Sequence, residues 1–227
     1  NAADGALDGA VRLFWSPGGV ISEADLSFDN ISFSGPTQAV TRTNNLSGTV
    51  QLTDLFPVQT DGLQTIRVQS IDMDALQLGA GEVTFEFPGD DSLSISNAQF
   101  PWFGGHLAIS NATAGFSGEA LIPLEAQNID LNQVFEFFDI EGLSGEGILS
   151  GHLPIFFEGG RARIENGFVQ SQGPGMISYV GQAAEQASAA GENAQVAFDF
   201  LRDLRFSTME VTINGALDGK IEFGMRF

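Results

Sequence analysis

The feature that most constrains this chain is an alternation of apolar and polar residues with a period of two. It is clearest at the C-terminus, where every second residue is apolar or glycine: Leu217, Gly219, Ile221, Phe223, Met225 and Phe227. Successive side chains of a β-strand point to opposite faces, so the pattern predicts a strand with one apolar face. Upstream, residues 209–213 alternate in the same way, and Asn214-Gly215 between the two stretches is a common hairpin turn. We therefore predict a C-terminal hairpin.

Similar stretches recur along the whole chain, separated by short runs of Gly, Asn, Asp and Pro that are typical of turns. They span residues 7–15, 26–33, 46–52, 66–73, 83–87, 93–100, 106–112, 115–124, 147–157 and 162–169. Many short strands at close spacing favour an antiparallel β architecture, and a βαβ fold would need helical crossovers. The prediction is a mainly β fold: an elongated open β-groove, a half-barrel or a sandwich.

Two segments depart from the period of two and predict short helices. Residues 129–138 place Leu131, Val134, Phe135 and Phe138 three or four apart behind an Asn or Asp cap. Residues 180–204 are rich in Ala, Gln and Glu, with Val196, Phe200 and Leu204 four apart. No linker rich in Pro or Ser divides the chain, so we expect a single domain over residues 1–227.

Composition excludes several functions. With 29 acidic and nine basic residues the formal charge is −20, which disfavours nucleic acid and anionic head groups as partners. There is no cysteine, and therefore no disulfide, thiolate metal site or thiol nucleophile. No apolar run approaches the length of a membrane helix, so any anchor or export signal would lie upstream of this sequence.

No residue pattern indicates catalysis. The two histidines, His106 and His152, lie in predicted strands without a neighbouring nucleophile or metal-ligand spacing. Acidic residues come close together at Asp72 and Asp74, at Asp90 and Asp91, and at Glu141 and Glu146, as expected by chance in so acidic a chain. We predict no catalytic residue, no metal and no cofactor. A carboxylate enzyme acting on polysaccharide ranks below the binding functions.

The aromatic composition leaves two alternatives open. The chain has 20 Phe against one Tyr and two Trp. Phe suits surroundings that are apolar throughout, whereas Tyr and Trp carry a polar group suited to wet edges. A closed hydrophobic core and a hydrocarbon-lined groove both satisfy that preference.

Six sequence stretches, in order, carry a resemblance to a known family: 81–87 (GEVTFEF), 98–105 (AQFPWFGG), 124–131 (LEAQNIDL), 143–155 (LSGEGILSGHLPI), 162–169 (ARIENGFV) and 174–179 (PGMISY). Together with the terminal strand they make the chain resemble the C-terminal domain of YdbH-like proteins, relatives of TamB and the AsmA-like group. The resemblance covers most of the chain.

The resemblance implies a Gram-negative envelope protein that is anchored in the inner membrane by an upstream helix. Its β-groove would bridge the periplasm and carry phospholipid to the outer membrane, with acyl chains on the apolar face. The last strand would pair with a small outer-membrane lipoprotein by strand addition, through Leu217, Ile221, Phe223, Met225 and Phe227.

The groove candidates are the apolar residues of the clearest alternating strands: Leu149, Leu153, Ile155, Phe157, Val211, Ile213, Leu217, Ile221, Phe223 and Met225. The alternative is a structural or adhesive β module with an ordinary closed Phe-rich core, which interacts through its C-terminal edge strand.

Overall fold

The fold is known from a computed structural model that describes residues 3–17, 19–35, 39–73, 76–116, 118–139, 141–180 and 202–227. The described strands are β1 (Ala3–Ser16), β2 (Gly19–Ser34), β3 (Arg42–Leu55), β4 (Val58–Thr60), β5 (Gln64–Val68), β6 (Ser70–Met73), β7 (Leu76–Leu78), β8 (Gly81–Glu86), β9 (Ser92–Trp102), β10 (Gly105–Gly115), β11 (Ala120–Asp130), β12 (Leu143–Glu146), β13 (Ile148–Glu158), β14 (Arg161–Ser171), β15 (Gly175–Tyr179), β16 (Leu204–Phe206), β17 (Glu210–Ala216) and β18 (Ile221–Arg226). The described helix is α1 (Leu131–Phe137).

Most of the described strands form one antiparallel sheet that follows the order of the chain. Its path is β1-β2-β3-β5-β8-β9-β10-β11-β13-β14-β17-β18, and β4, β6 and β7 join it at the side. A second sheet has the order β12-β15-β16. The first and last strands of the long path, β1 and β18, are its two edges and do not pair with each other. The large sheet is therefore open, which confirms the prediction of a mainly β, antiparallel fold.

Two predicted strands have wrong boundaries. Residues 115–124 include the turn between β10 and β11, where Gly118 has a φ of +89°. The backbone N–H of Phe116 donates to the Asp91 carbonyl there, outside the ladder. Residues 66–73 divide into β5 and β6, which pair with different parts of β3. Alternation alone does not distinguish a strand from two strands joined by a turn.

The C-terminal hairpin forms between β17 and β18, but its turn is not at Asn214-Gly215. Those residues stay in the ladder, Asn214 opposite Glu222 and Gly215 opposite Ile221, and the turn follows at 217–220. Gly215 has a φ of +136°, and a Cβ there would lie 2.2 Å from the Lys220 carbonyl oxygen. The predicted placement of Leu217 in the last strand is therefore wrong. Leu217 is a buried turn residue, and its N–H donates to the Ala162 carbonyl at 2.9 Å.

The first predicted helix is confirmed. Asp130 caps α1 by accepting hydrogen bonds at Oδ1 from the backbone N–H groups of Asn132 (2.8 Å) and Gln133 (3.4 Å). The buried helix residues are Leu131 and Phe135. The second predicted helix, 180–204, lies almost entirely outside the described residues, and its last residue begins β16.

Asparagine residues with positive φ bend the long strands. They are Asn30, Asn45, Asn111, Asn128 and Asn166, and the pairing register shifts at each of them. A β-bulge of this kind leaves one ladder group unpaired and curves the strand. A neighbouring side chain satisfies the freed N–H: Ser150 Oγ accepts from Asn128 at 3.0 Å, and Asn214 Oδ1 accepts from Asn166 at 2.7 Å.

Candidate functional site

One row of directly paired residues crosses nine strands of the sheet without a polar side chain. From β1 to β13 it consists of Leu7, Phe28, Gly48, Ile66, Val83, Ala98, Ile109, Leu124 and Leu153. Residues paired directly across antiparallel strands point to the same face. The eight intervals at about 4.8 Å each make the row roughly 38 Å long. The face that carries this row is called the inner face.

The adjacent row, on the outer face, is mostly polar. It consists of Ser47, Arg67, Glu82, Gln99, Ala108, Glu125 and His152. Arg67 and Glu82 form an ion pair on this face with N–O contact at 2.5 Å. The sheet is thus amphipathic across its width, apolar inside and polar outside.

Cover of the inner face differs between its two ends. At β1 it is open, with Leu7 60%, Val11 59% and Trp15 76% exposed. Further along, Leu107 and Leu124 are 0% and 2% exposed. Three connections between strands of the large sheet cover that part. They contain β6–β7, α1–β12 and β15–β16, and all three lie at the same end of the meander. Their apolar residues, Leu76, Phe135 and Phe206 among them, pack with the inner face in one core.

A cavity of about 350 Å³ remains between the covered inner face and α1. The described residues that line it include one polar residue, Gln77, and no charged one. The apolar lining residues are Leu76, Trp102, Phe103, Leu124, Ala126, Ile129, Leu131, Val134, Phe135, Phe137, Phe138, Leu143, Leu149, Leu153, Ile155, Ile164, Val169, Met209, Val211, Ile213, Leu217, Ile221, Phe223 and Met225. Ligand pockets typically start near ~300 Å³, so the space suits a small apolar group.

Nine of the ten groove candidates line this cavity; the exception is Phe157. Phe157 lies near the far end of β13, opposite Ala162, and packs partly buried against the core. The role of the ten groove candidates in holding lipid stays a prediction. The sequence interpretation did not include Trp102, Phe103 and Phe137, whose only signal was the high Phe content and the AQFPWFGG stretch.

Five aromatic side chains form a continuous chain across the cavity. Trp102 and Phe103 have ring centroids 4.3 Å apart, and Phe103 lies 5.2 Å from Phe137. Phe137 and Phe138 follow at 5.5 Å, and Phe138 reaches Phe223 of β18 at 6.4 Å in an edge-on contact. These five residues are called the aromatic roof. They join the β9–β10 turn, the end of α1 and the edge strand.

Backbone contacts hold α1, which contributes Phe137 to this roof, in place. The Asp130 N–H donates to the Phe103 carbonyl at 2.8 Å, and the Leu131 N–H donates to the Gly147 carbonyl at 3.0 Å. Gly145 of β12 is required for close packing, because a Cβ there would lie 2.8 Å from the Phe135 ring. The short helix is thus fixed by its neighbours more than by its own length.

In the part of the chain that the structure describes, the titratable side chains lie outside the cavity lining. His106 contacts the Gln127 side chain at 3.1 Å, and His152 packs against Phe168 on the outer face. Hydrogen bonds from the Ser22 hydroxyl and then the Phe56 backbone N–H lower the pKa of Asp54, near the β3–β4 turn. Among the described residues, no group of three or more His, Asp or Glu side chains could hold a metal ion. No helix in the described part of the chain is long and apolar enough to cross a membrane.

The edge strand β18 carries the other predicted interaction. It pairs with β17 on one side, and the described sheet has no strand on its other side. Phe223, Met225 and Phe227 are each more than half exposed, and Ile221 is partly buried. Four of the five residues predicted for a partner strand therefore lie in or directly after this edge, and Leu217 does not.

Comparison with known proteins identifies a family for this chain. The family model described as "YdbH-like: Intermembrane phospholipid transport protein YdbH" matches residues 1–227. No curated protein and no solved structure matches the chain. Because the family match extends over the full sequence and confirms the resemblance seen in its motifs, the chain belongs to the YdbH-like family of intermembrane phospholipid transport proteins.

Proposed function

We propose that the inner face is a phospholipid-conducting groove that carries acyl chains across a Gram-negative periplasm. The observation that carries the proposal is the unbroken apolar row from Leu7 to Leu153, open to solvent at β1 and continuous with the apolar cavity. Acyl chains would lie along the inner face while head groups stay in water beside the open sheet. On this proposal residues 1–227 act as one domain.

The proposed transport requires no covalent chemistry. Burying one CH₂ group contributes about 0.8 kcal/mol, so a lipid tail is held by the sum of many equivalent contacts. Neighbouring positions on an apolar row differ little in chemistry, which keeps the cost of movement along the groove small. The charge of −20 disfavours anionic head groups, so contact with lipid would rest on apolar surface.

The alternative of a closed structural module is not favoured. A closed Phe-rich core would bury the apolar face, yet Leu7, Val11 and Trp15 on the inner face of β1 are exposed. Exposed contiguous apolar surface of this kind is typical of a binding site.

A polar barrier in the groove tests the proposal. Val83 lies in the apolar row and is only partly buried, so Val83→Asp interrupts the row at β8 without opening the deepest core. The matched control is Thr84→Asp, one residue along the same strand on the other face. Phospholipid bound to each purified protein is extracted and quantified by mass spectrometry, and folding is checked by circular dichroism.

We expect Val83→Asp to lose bound phospholipid and Thr84→Asp to keep the wild-type amount. Equal recovery from the two folded variants, or a wild-type protein that carries no phospholipid, would overturn the proposal.

We further propose that β18 receives an added strand from a small outer-membrane lipoprotein, and that a segment upstream of this sequence anchors the protein in the inner membrane. The unpaired edge of β18 supports the first idea. Removing residues 221–227 from the full-length protein should leave the sheet folded and abolish crosslinking to the lipoprotein in cells. Crosslinking that persists after the removal would contradict it.

A further inference from the structure

The two ends of the inner face offer different surroundings to a lipid tail. At β1 the face is open, whereas from β11 to β18 the aromatic roof lies over it and encloses the cavity. An open groove shields one side of an acyl chain. The roofed cavity surrounds it with side chains on both sides.

The roofed cavity reaches solvent at its β18 side. Phe138 and Phe223 line the cavity, yet they are 53% and 52% exposed. Met225, two residues beyond Phe223 on the same strand face, also lines the cavity and is 55% exposed. Side chains that face both the cavity and water mark its boundary, and the place on this boundary where the Phe138 and Phe223 rings meet is called the mouth.

The two sides of the mouth belong to separate elements. Phe138 caps the C-terminal end of α1, which is held by β11 and β12. Phe223 lies on β18, which has β17 as its partner strand. The rings touch edge-on at 6.4 Å, a contact without a hydrogen bond or an ion pair between the two rings. A small shift of either element would therefore widen the mouth.

The lining determines what can occupy the cavity. None of the described lining residues is charged, and burial of a charge without a partner is strongly unfavourable. The described lining therefore disfavours a phosphate-bearing head group. The volume of about 350 Å³ is at the small end of the range for ligand sites, which suits one chain better than a whole lipid.

We propose that the roofed cavity is an end chamber for a single phospholipid acyl chain, which enters and leaves through the mouth between Phe138 and Phe223. This inference rests on the proposed groove function and adds to it a separate site with its own opening. The head group stays outside the mouth while the tail is enclosed.

The chain supplies its own reporters for a test. Its two tryptophans lie far apart on the sheet path, Trp15 on the open β1 edge and Trp102 on β9, in the lining of the chamber. In Trp15→Phe, fluorescence comes from Trp102 alone, and in Trp102→Phe it comes from Trp15 alone. The probe is a vesicle of phosphatidylcholine with dibrominated acyl chains, because bromine quenches tryptophan at short range. Fluorescence is read after the vesicles are removed.

Because the sequence contains no cysteine, two introduced cysteines can be crosslinked specifically to close the mouth. Phe138→Cys with Phe223→Cys is joined by a short bis-maleimide whose spacer is cleaved by reductant. The control joins Thr65→Cys to Thr84→Cys with the same reagent. Those two residues pair directly on the outer face, and their hydroxyls lie 3.1 Å apart.

We expect Trp102 to be quenched before crosslinking, unquenched after the mouth is crosslinked, and quenched again once the spacer is cleaved. The outer-face crosslink should leave quenching intact. If Trp102 is quenched with the mouth closed, or if Trp15 is quenched and Trp102 is not, the end chamber is overturned while the groove proposal stands. If neither tryptophan is quenched, the proposed function itself fails.

Discussion

Replacing Asp130 with alanine should loosen α1 and leave the sheet intact. Asp130 Oδ1 accepts two backbone N–H groups of the first helical turn, at 2.8 and 3.4 Å. Loss of an N-cap acceptor costs about 0.5–2 kcal/mol. The helix has seven residues, well below the ~12–15 at which isolated helices become stable, so its own hydrogen bonds contribute little stability beyond the cap. A loss of about 1 kcal/mol raises the frayed fraction of α1 roughly fivefold.

Hydrogen exchange followed by mass spectrometry measures this fraying directly. Amides of α1 should exchange about fivefold faster in Asp130→Ala, while those around the fully buried Leu107 of β10 keep their protection. Asp130→Asn is the matched control, because asparagine caps helices as well as aspartate does. The reasoning is refuted if the asparagine variant exchanges as fast as the alanine variant, or if protection in β10 falls together with that of α1.

Three further outcomes are expected. Leu107→Ala should lower the free energy of unfolding by about 2–5 kcal/mol in urea denaturation because Leu107 is fully buried, whereas Phe223→Ala, at a half-exposed position, should cost far less; equal losses would contradict the placement of Phe223 at the solvent boundary of the cavity. Ser22→Ala removes the hydroxyl that most lowers the pKa of Asp54, so NMR titration should show that pKa rising. Because the pKa of Asp54 is lower in the folded protein than in the unfolded chain, its ionised carboxylate stabilises the fold above about pH 4. This contribution is lost as the pH falls through the folded pKa, so the variant should lose less stability on acidification than the wild type. Ser150→Ala removes the acceptor of the β11 bulge N–H and should cost about 0.5–1.5 kcal/mol in thermal denaturation, and an unchanged melting temperature would show that water replaces it.

Local pattern was sufficient for the strands along the main path of the large sheet and for their apolar face, but it did not predict β4, β7, β12, β15 or β16. Alternation predicted antiparallel strands because the side-chain direction of a strand depends only on its own backbone. For the same reason nine of the ten groove candidates, Val211 and Leu153 among them, fall on the lining of one cavity. Helix α1 was readable from the spacing of Leu131 and Phe135 behind a capping residue.

Pairing between strands corrected the local interpretation at the C-terminal hairpin. Asn214-Gly215 has the composition of a two-residue turn, yet the ladder continues through it and Leu217 is buried in the turn that follows. Register with β14 decides this, since Gly215 pairs with Ile164 and the Leu217 N–H bonds to Ala162. A turn preference of the local sequence is weaker than several ladder hydrogen bonds.

The amino-acid sequence by itself determined that this protein is a member of the YdbH-like family built of amphipathic antiparallel strands. It also identified the residues of their apolar face. Only the tertiary structure decided that the face is open at β1 and roofed at β18. The roof brings Phe103, Phe138 and Phe223 together from three separate elements. Periodicity predicts the direction of each side chain. It does not predict the curvature that bulges impose on the sheet or which segments cover its inner face, because both depend on contacts between residues far apart in the chain.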